Sequence, residues 1–178
     1  MSARPDFGID APGVVQANIA LGALFTLIAI AGVVWSGAGP AWSWLAVGAA
    51  TTAGLLIFLA AVMLGSSMAG KQRICDRIVT ALALSEDAHV LDAGCGRGLA
   101  LIACAKTLRT GKAVGVDLWA ASDLSGNTPE AVLTNAEVAG VADRIEVRTG
   151  DITALAFPSA SFDAVIIHQV LHYADRPD

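Results

Sequence analysis

Between Asp10 and Lys71 sixty consecutive residues contain no Asp, Glu, Lys, Arg or His, and hiding such a stretch inside a soluble protein would need a very large surrounding core. It divides into two apolar runs, residues 14–35 and 42–64. Each is long enough for a helix to cross about 30 Å of hydrocarbon, which takes roughly 20 residues. Between the runs lies Ser36-Gly37-Ala38-Gly39-Pro40-Ala41, a glycine and proline turn suited only to the tip of a helical hairpin. Trp35, Trp42 and Trp44 flank that tip, where an indole prefers the headgroup boundary. Lys71, Arg73 and Arg77 follow the second run, Arg4 precedes the first and the turn is uncharged. The positive-inside bias therefore predicts both termini in the cytoplasm, at an inner or plasma membrane. A cleaved signal peptide fits poorly, because Asp6 and Asp10 lie in the leader and the apolar run exceeds the usual h-region of about 7–15 residues. Ala20, Gly22 and Ala23 against Ala49, Ala50, Ala53 and Gly54 predict close packing of the two helices. No ionisable group within the runs marks a transport path.

A second solvent is implied beyond Lys71, where nearly all the charge lies. The chain is 55% hydrophobic with a formal net charge of −5, and no basic surface for nucleic acid is evident. Cys75, Cys95 and Cys104 show neither CxxC pairing nor a histidine at ligand spacing, so neither a disulfide framework nor a metal site is expected. The organisation predicted is an N-terminal cytoplasmic tail over 1–13, a transmembrane hairpin over 14–64, a connecting amphipathic helix over 65–86 and a ligand-binding domain over 87–178. In the connecting helix Ile74, Ile78, Val79 and Leu82 form the apolar face.

His89-Val90-Leu91-Asp92 reads as a strand entering Ala93-Gly94-Cys95-Gly96-Arg97-Gly98, followed by a helix through Leu99, Ile102, Ala103 and Leu108 that Gly111 closes. Further strands are expected over 113–116, ending on Asp117, over 144–148, and over 162–167. Strands alternating with helices predict an α/β fold with a parallel sheet and right-handed crossovers. Thr128-Pro129-Glu130 is a helix start, with Thr as N-cap and Pro at the first helical position. The polar loop ahead of it, residues 119–127, is longer than the two to six residues usual for such a connection, and a long loop at the carboxyl end of a strand is suited to cover a ligand.

The glycine turn after the first strand is where an open parallel sheet binds a nucleotide-like ligand. A dinucleotide fingerprint requires glycine at the first, third and sixth positions, yet counting from Gly94 the sixth is Leu99. The run Val90-Leu91-Asp92-Ala93-Gly94-Cys95-Gly96-Arg97-Gly98 closely resembles instead the first motif of the class I S-adenosylmethionine-dependent methyltransferases. Val114-Gly115-Val116-Asp117-Leu118, Gly150-Asp151-Ile152, Ser161-Phe162-Asp163-Ala164-Val165 and Val170-Leu171-His172-Tyr173 follow in that family's order. Asp117-Leu118-Trp119 leading into Ser125-Gly126-Asn127 is most similar to members with a membrane hairpin.

The resemblance implies S-adenosylmethionine as cofactor and a Rossmann-like sheet, of which the first four strands fall within this chain. It implies a site formed by Asp92, Gly94, Cys95, Gly96, Asp117, Leu118, Asp151, Ile152 and His168. Asp92 would hold the cofactor ammonium, Asp117 both ribose hydroxyls, Asp151 the adenine amino group, and Ile152 the ring face. His168 and His172 lie near where the methyl group is expected, and neither is assigned a catalytic role. The family's sheet has seven strands, so a fragment, or completion by a second chain, is the expectation. The lipid bilayer and an unidentified, membrane-held methyl acceptor are the expected partners. Rival readings are a non-catalytic tethered binding module and, disfavoured by Leu99, an NAD-dependent oxidoreductase.

Overall fold

Two prolines, each placed where a helix can tolerate it, open the long apolar helices. In the computed structural model, which describes residues 4–120 and 124–168, α1 spans Pro12–Val34 and α2 spans Pro40–Gly65. A proline at the first helical position lacks only an N–H that would find no partner there. A 3-10 turn over Ser36–Ala38 joins the helices, and Gly39 at φ 148° makes the reversal in a conformation that side chains disfavour. The chain divides into two units, Ile9–Ser67 and Met1–Gly8 with Met68–Asp178.

In the first unit the contact between α1 and α2 is made by small residues. A Cβ on Gly32 would lie 2.9 Å from the Ala46 backbone nitrogen, and one on Gly22 would lie 2.9 Å from Ile57 Cγ1. Gly22, Gly32, Ala46, Ala49, Ala53 and Ala60 are buried, whereas Leu27 is 65% exposed and Phe58 63% exposed. Of the small residues expected at the seam, Gly22, Ala49 and Ala53 are inside. Ala20, Ala23, Ala50 and Gly54 are exposed, because a helix turning once per 3.6 residues offers a close neighbour only one narrow stripe. The ends of the hairpin are tied where the Asp10 amide donates to Ser67 Oγ at 3.1 Å and that hydroxyl donates to Asp10 Oδ2 at 3.0 Å.

The second unit begins with a π-helical turn, Ser66–Gly70, which overlaps the unit boundary, and α3, Lys71–Leu82. The expected apolar face of α3 is corrected here. Cys75 and Val79 enter the core while Ile74, Ile78 and Leu82 stay exposed, Ile74 to 53%. Apolar residues occur on more than one side of this helix, and periodicity alone does not say which side meets the domain. Lys71, expected as an interfacial charge, is buried, its Nζ donating to the Phe7 carbonyl at 2.9 Å and the Gly8 carbonyl at 3.1 Å.

Strands β1 (His89–Ala93), β2 (Lys112–Asp117), β3 (Ile145–Thr149) and β4 (Ala164–Ile167) pair in parallel in the order β3-β2-β1-β4. Leu91 is level with Val114 on one side and Val165 on the other. Strand β4 starts two residues later than expected. Phe162 packs edge-to-face on Phe157, centroids 4.9 Å apart, and Asp163 joins the strands through its carboxylate, which accepts from the His89 amide at 2.7 Å. Alternation divides the sheet between two faces. Val90 and Ala113 join the helices' core of Leu101, Ile102, Cys104, Val132 and Ala136, while Leu91, Ala93, Val114 and Val116 pack under Ile152, Leu155, Phe157 and Phe162. Helix α4, Leu99–Thr107, stops four residues short of Gly111. That glycine lies against the Ala88 backbone, too close for a side chain. Helix α5, Pro129–Ala139, is capped as expected by Thr128 Oγ1, which accepts from the Ala131 amide at 3.2 Å.

Candidate functional site

The strand order places the crossover switch between β1 and β4, and in an open parallel sheet the crevice beyond the strands' carboxyl ends at that point receives the ligand. The turn from β1 to α4 lies there. Gly94, Gly96 and Gly98 have φ of 81°, 52° and 84°, a left-handed succession that any other residue would strain. It is fixed by the Gly94 amide donating to the Val116 carbonyl at 2.7 Å and the Gly98 amide to the Cys95 carbonyl at 2.8 Å. A Cβ at Gly96 would meet Leu124 Cδ2 at 2.9 Å.

Asp117, at the end of β2, is the hub. Its Oδ2 accepts from the Gly96 amide at 2.8 Å, and its Oδ1 accepts from the Trp119 amide at 2.7 Å and from Asn127 Nδ2 at 3.1 Å. The site therefore joins the glycine turn, the end of β2 and the polar loop. Asn127 is 6% exposed and its Oδ1 is buried without a hydrogen-bond partner.

Asp92, expected to meet a cofactor ammonium, is 2% exposed and its Oδ2 accepts from the Leu101 amide at 2.8 Å. It thus serves one of the free amides of the first turn of α4. Burial pushes its carboxyl up to about 7; the Leu101 amide opposes that rise and the charge of Asp117 adds to it. Among the described residues neither acid has a cationic partner. Cys95, implied as a site residue, is buried within the turn. Its sulfur packs where a Cβ on Gly115 would lie, at 2.8 Å, its amide donates to the Val116 carbonyl at 3.1 Å, and burial pushes its thiol far up.

Leu118 is exposed directly after the hub acid. Asp151 is exposed after β3, its Oδ1 accepting from the Thr153 amide and hydroxyl, each at 2.8 Å, and these bonds lower its carboxyl. Ile152 packs instead against the sheet. His168 follows Ile167, the residue level with Ala93 in β1, so the backbone brings it beside the start of the glycine turn. Residues 170–173, with His172, lie outside the described residues, as do 121–123 of the polar loop.

The residues that sequence reasoning missed come from the far end of the chain. Arg97 Nη2 pairs with Asp6 Oδ2 at 2.9 Å, its Nε donates to the Asp6 carbonyl at 2.8 Å and its Nη1 to the Ser125 carbonyl at 3.0 Å. Asn135 Nδ2 donates to the Asp6 carbonyl at 2.7 Å and to the Arg97 carbonyl at 3.0 Å, and its Oδ1 accepts from the Asp6 amide at 2.8 Å. Phe7 packs on the core. A short N-terminal strap thereby holds both the glycine turn and the polar loop. No group of three or more metal-ligating side chains occurs among the described residues.

Residues 90–178 match a family described as a methyltransferase domain. Erythromycin 3''-O-methyltransferase of Saccharopolyspora erythraea is 32% identical over 111 residues, which cover 60% of this chain and 33% of that protein. The chain thus spans about a third of that relative's length. Two solved structures are similar at low overall superposition. An RNA methyltransferase from Salinibacter ruber in complex with S-adenosylhomocysteine is 26% identical, with a TM-score of 0.43 covering 53% of this chain and 56% of that one. A SAM-dependent methyltransferase from Aquifex aeolicus is 19% identical, with a TM-score of 0.47 covering 58% and 52%.

Proposed function

Because the chain belongs to the methyltransferase-domain family, we propose that it is a methyltransferase held at the cytoplasmic face of a membrane, acting on an acceptor that the membrane presents. S-adenosylmethionine is the cofactor. It supplies a methyl group on a positively charged sulfur, and transfer depends chiefly on aligning acceptor, methyl carbon and sulfur. The observation that carries the cofactor reading is the hub at Asp117: a buried carboxylate at the end of β2, joined to the glycine turn and beside an unpartnered buried acceptor on Asn127. The acceptors left over there, on Asp117 and on Asn127 Oδ1, suit the hydroxyl donors of a ribose diol. Asp117, which has no cationic partner among the described residues, sets a negative field that suits a cationic ligand. Asp92 acts through α4, whose first turn it holds.

The membrane reading is supported by two helices long and apolar enough to cross a bilayer and by their large side chains facing outward. On α3 the exposed Ile74, Ile78 and Leu82 accompany exposed Arg73 and Arg77, a pairing suited to an interface. The S. erythraea relative is named for methylation at oxygen, so a lipid-soluble alcohol is the first acceptor class to assay.

Calorimetric titration of the detergent-solubilised chain with S-adenosylhomocysteine and with NAD tests the cofactor reading. Binding of S-adenosylhomocysteine alone is expected. Binding of NAD in its place would favour the oxidoreductase.

A further inference from the structure

A carboxylate offers about four acceptor positions, and three at Asp117 are taken by the amides of Gly96 and Trp119 and by Asn127 Nδ2. One position remains. A ribose diol brings two hydroxyl donors, so Asp117 cannot accept both while the glycine turn and the polar loop stay joined to it. The missing acceptor is in the same cluster. Asn127 Oδ1 is buried and unpartnered, and it belongs to the amide whose nitrogen lies 3.1 Å from Asp117 Oδ1, so one planar amide group, about 2.2 Å across, separates it from that contact.

The side chain's orientation is set by its neighbour. Only the NH2 end can donate to a carboxylate, so the carbonyl end must be the one left over. A buried acceptor without a partner is costly, and a hydroxyl-bearing ligand relieves that cost. The loop is held where this can happen. Arg97 Nη1 holds the Ser125 carbonyl at 3.0 Å, and a Cβ on Gly8 would meet that same carbonyl at 2.8 Å, so the N-terminal strap passes close against the segment that carries Asn127.

We propose that Asn127 is a cofactor-recognition residue: its amide nitrogen orients Asp117, and its carbonyl oxygen accepts one ribose hydroxyl while Asp117 accepts the other. This rests on the cofactor reading above. It divides between two residues a task that the sequence assigned to Asp117 alone.

The test is equilibrium binding of S-adenosylhomocysteine and its 2′-deoxy and 3′-deoxy analogues to the detergent-solubilised chain and to Asn127→Ala. In the parent, removing the hydroxyl that Asn127 accepts should weaken binding about fivefold to tenfold. In Asn127→Ala the same removal should change affinity less than twofold. A uniform loss for all three ligands, with the parent's preference intact in the variant, would mean that Asn127 only orients Asp117 and would overturn the proposal. Should Asn127→Ala fail to fold, Asn127→Ser is read in its place against the same three ligands, and indifference of the parent to both deoxy analogues would by itself refute ribose recognition here. Failure of the parent to bind S-adenosylhomocysteine at all would instead bring down the cofactor reading, and the role of Asn127 with it.

Discussion

The two units of this chain use large and small residues in opposite ways. In the domain the bulky side chains are inside, with Leu101, Ile102 and Val132 fully buried. In the hairpin the inside belongs to Gly22, Gly32, Ala46, Ala49 and Ala53, while Leu27, Ile30, Phe58 and Val62 face outward. Water drives apolar bulk into a core. Lipid gives no such drive, so close backbone approach decides which side chains meet. That difference is what the proposed membrane reading requires of the two units.

The largest effect expected from this contrast follows truncation of the core. Leu101→Ala should destabilise the domain by about 2–5 kcal/mol, whereas Phe58→Ala should change stability by less than about 0.5 kcal/mol, both read from thermal unfolding in detergent. Equal costs would erase the distinction. The reverse exchange should hurt only the hairpin. Gly32→Val must push against the Ala46 backbone and should cost roughly 1–3 kcal/mol of helix association, measurable by energy transfer between labels on the two helices.

Asp92 gives the domain a pH signature that the uncharged hairpin lacks. Its carboxyl is raised to about 7 by burial, against 3.8 for the free group. The folded state therefore holds a proton that the unfolded state has released. This acid's contribution is fully present below about pH 4 and is lost as pH rises towards 7. Asp92→Asn should consequently gain on the parent across that window, by at most about 1.4 kcal/mol per pH unit, in melts recorded from pH 4 to 8. A constant difference would mean that Asp92 is not buried as an acid.

Much of this was legible in the sequence because it is local. The charge-free stretch located both apolar helices to within two residues, Thr128-Pro129 located α5, and the run from His89 into the glycines located β1 and the turn that follows it. What stayed hidden depends on partners distant in the chain. Asp6 and Arg97 are 91 positions apart, and no periodicity links them. Lys71 looked like a headgroup charge until the carbonyls of Phe7 and Gly8 gave it buried acceptors. Cys95 sits in the expected motif, yet the absence of a side chain on Gly115 draws its sulfur inward. Within the domain, the smallest effect expected lies in the strap. Asp6→Ala leaves an exposed partner out of a pair and should cost under about 1 kcal/mol of domain stability, while loosening the polar loop enough to raise amide exchange at Ser125 and Gly126.

The central claim is that one chain serves two solvents, with the hairpin in lipid and the domain at the cytoplasmic face. All three native cysteines are buried, and burial raises each thiol, so they should react slowly with a membrane-impermeant maleimide. Ser36→Cys at the hairpin tip and Ser85→Cys in the exposed turn after α3 can then be labelled in intact cells. The account predicts modification of Ser36→Cys from outside, and of Ser85→Cys only after permeabilisation. Labelling of both from outside, or of neither until the membrane is opened, would contradict it.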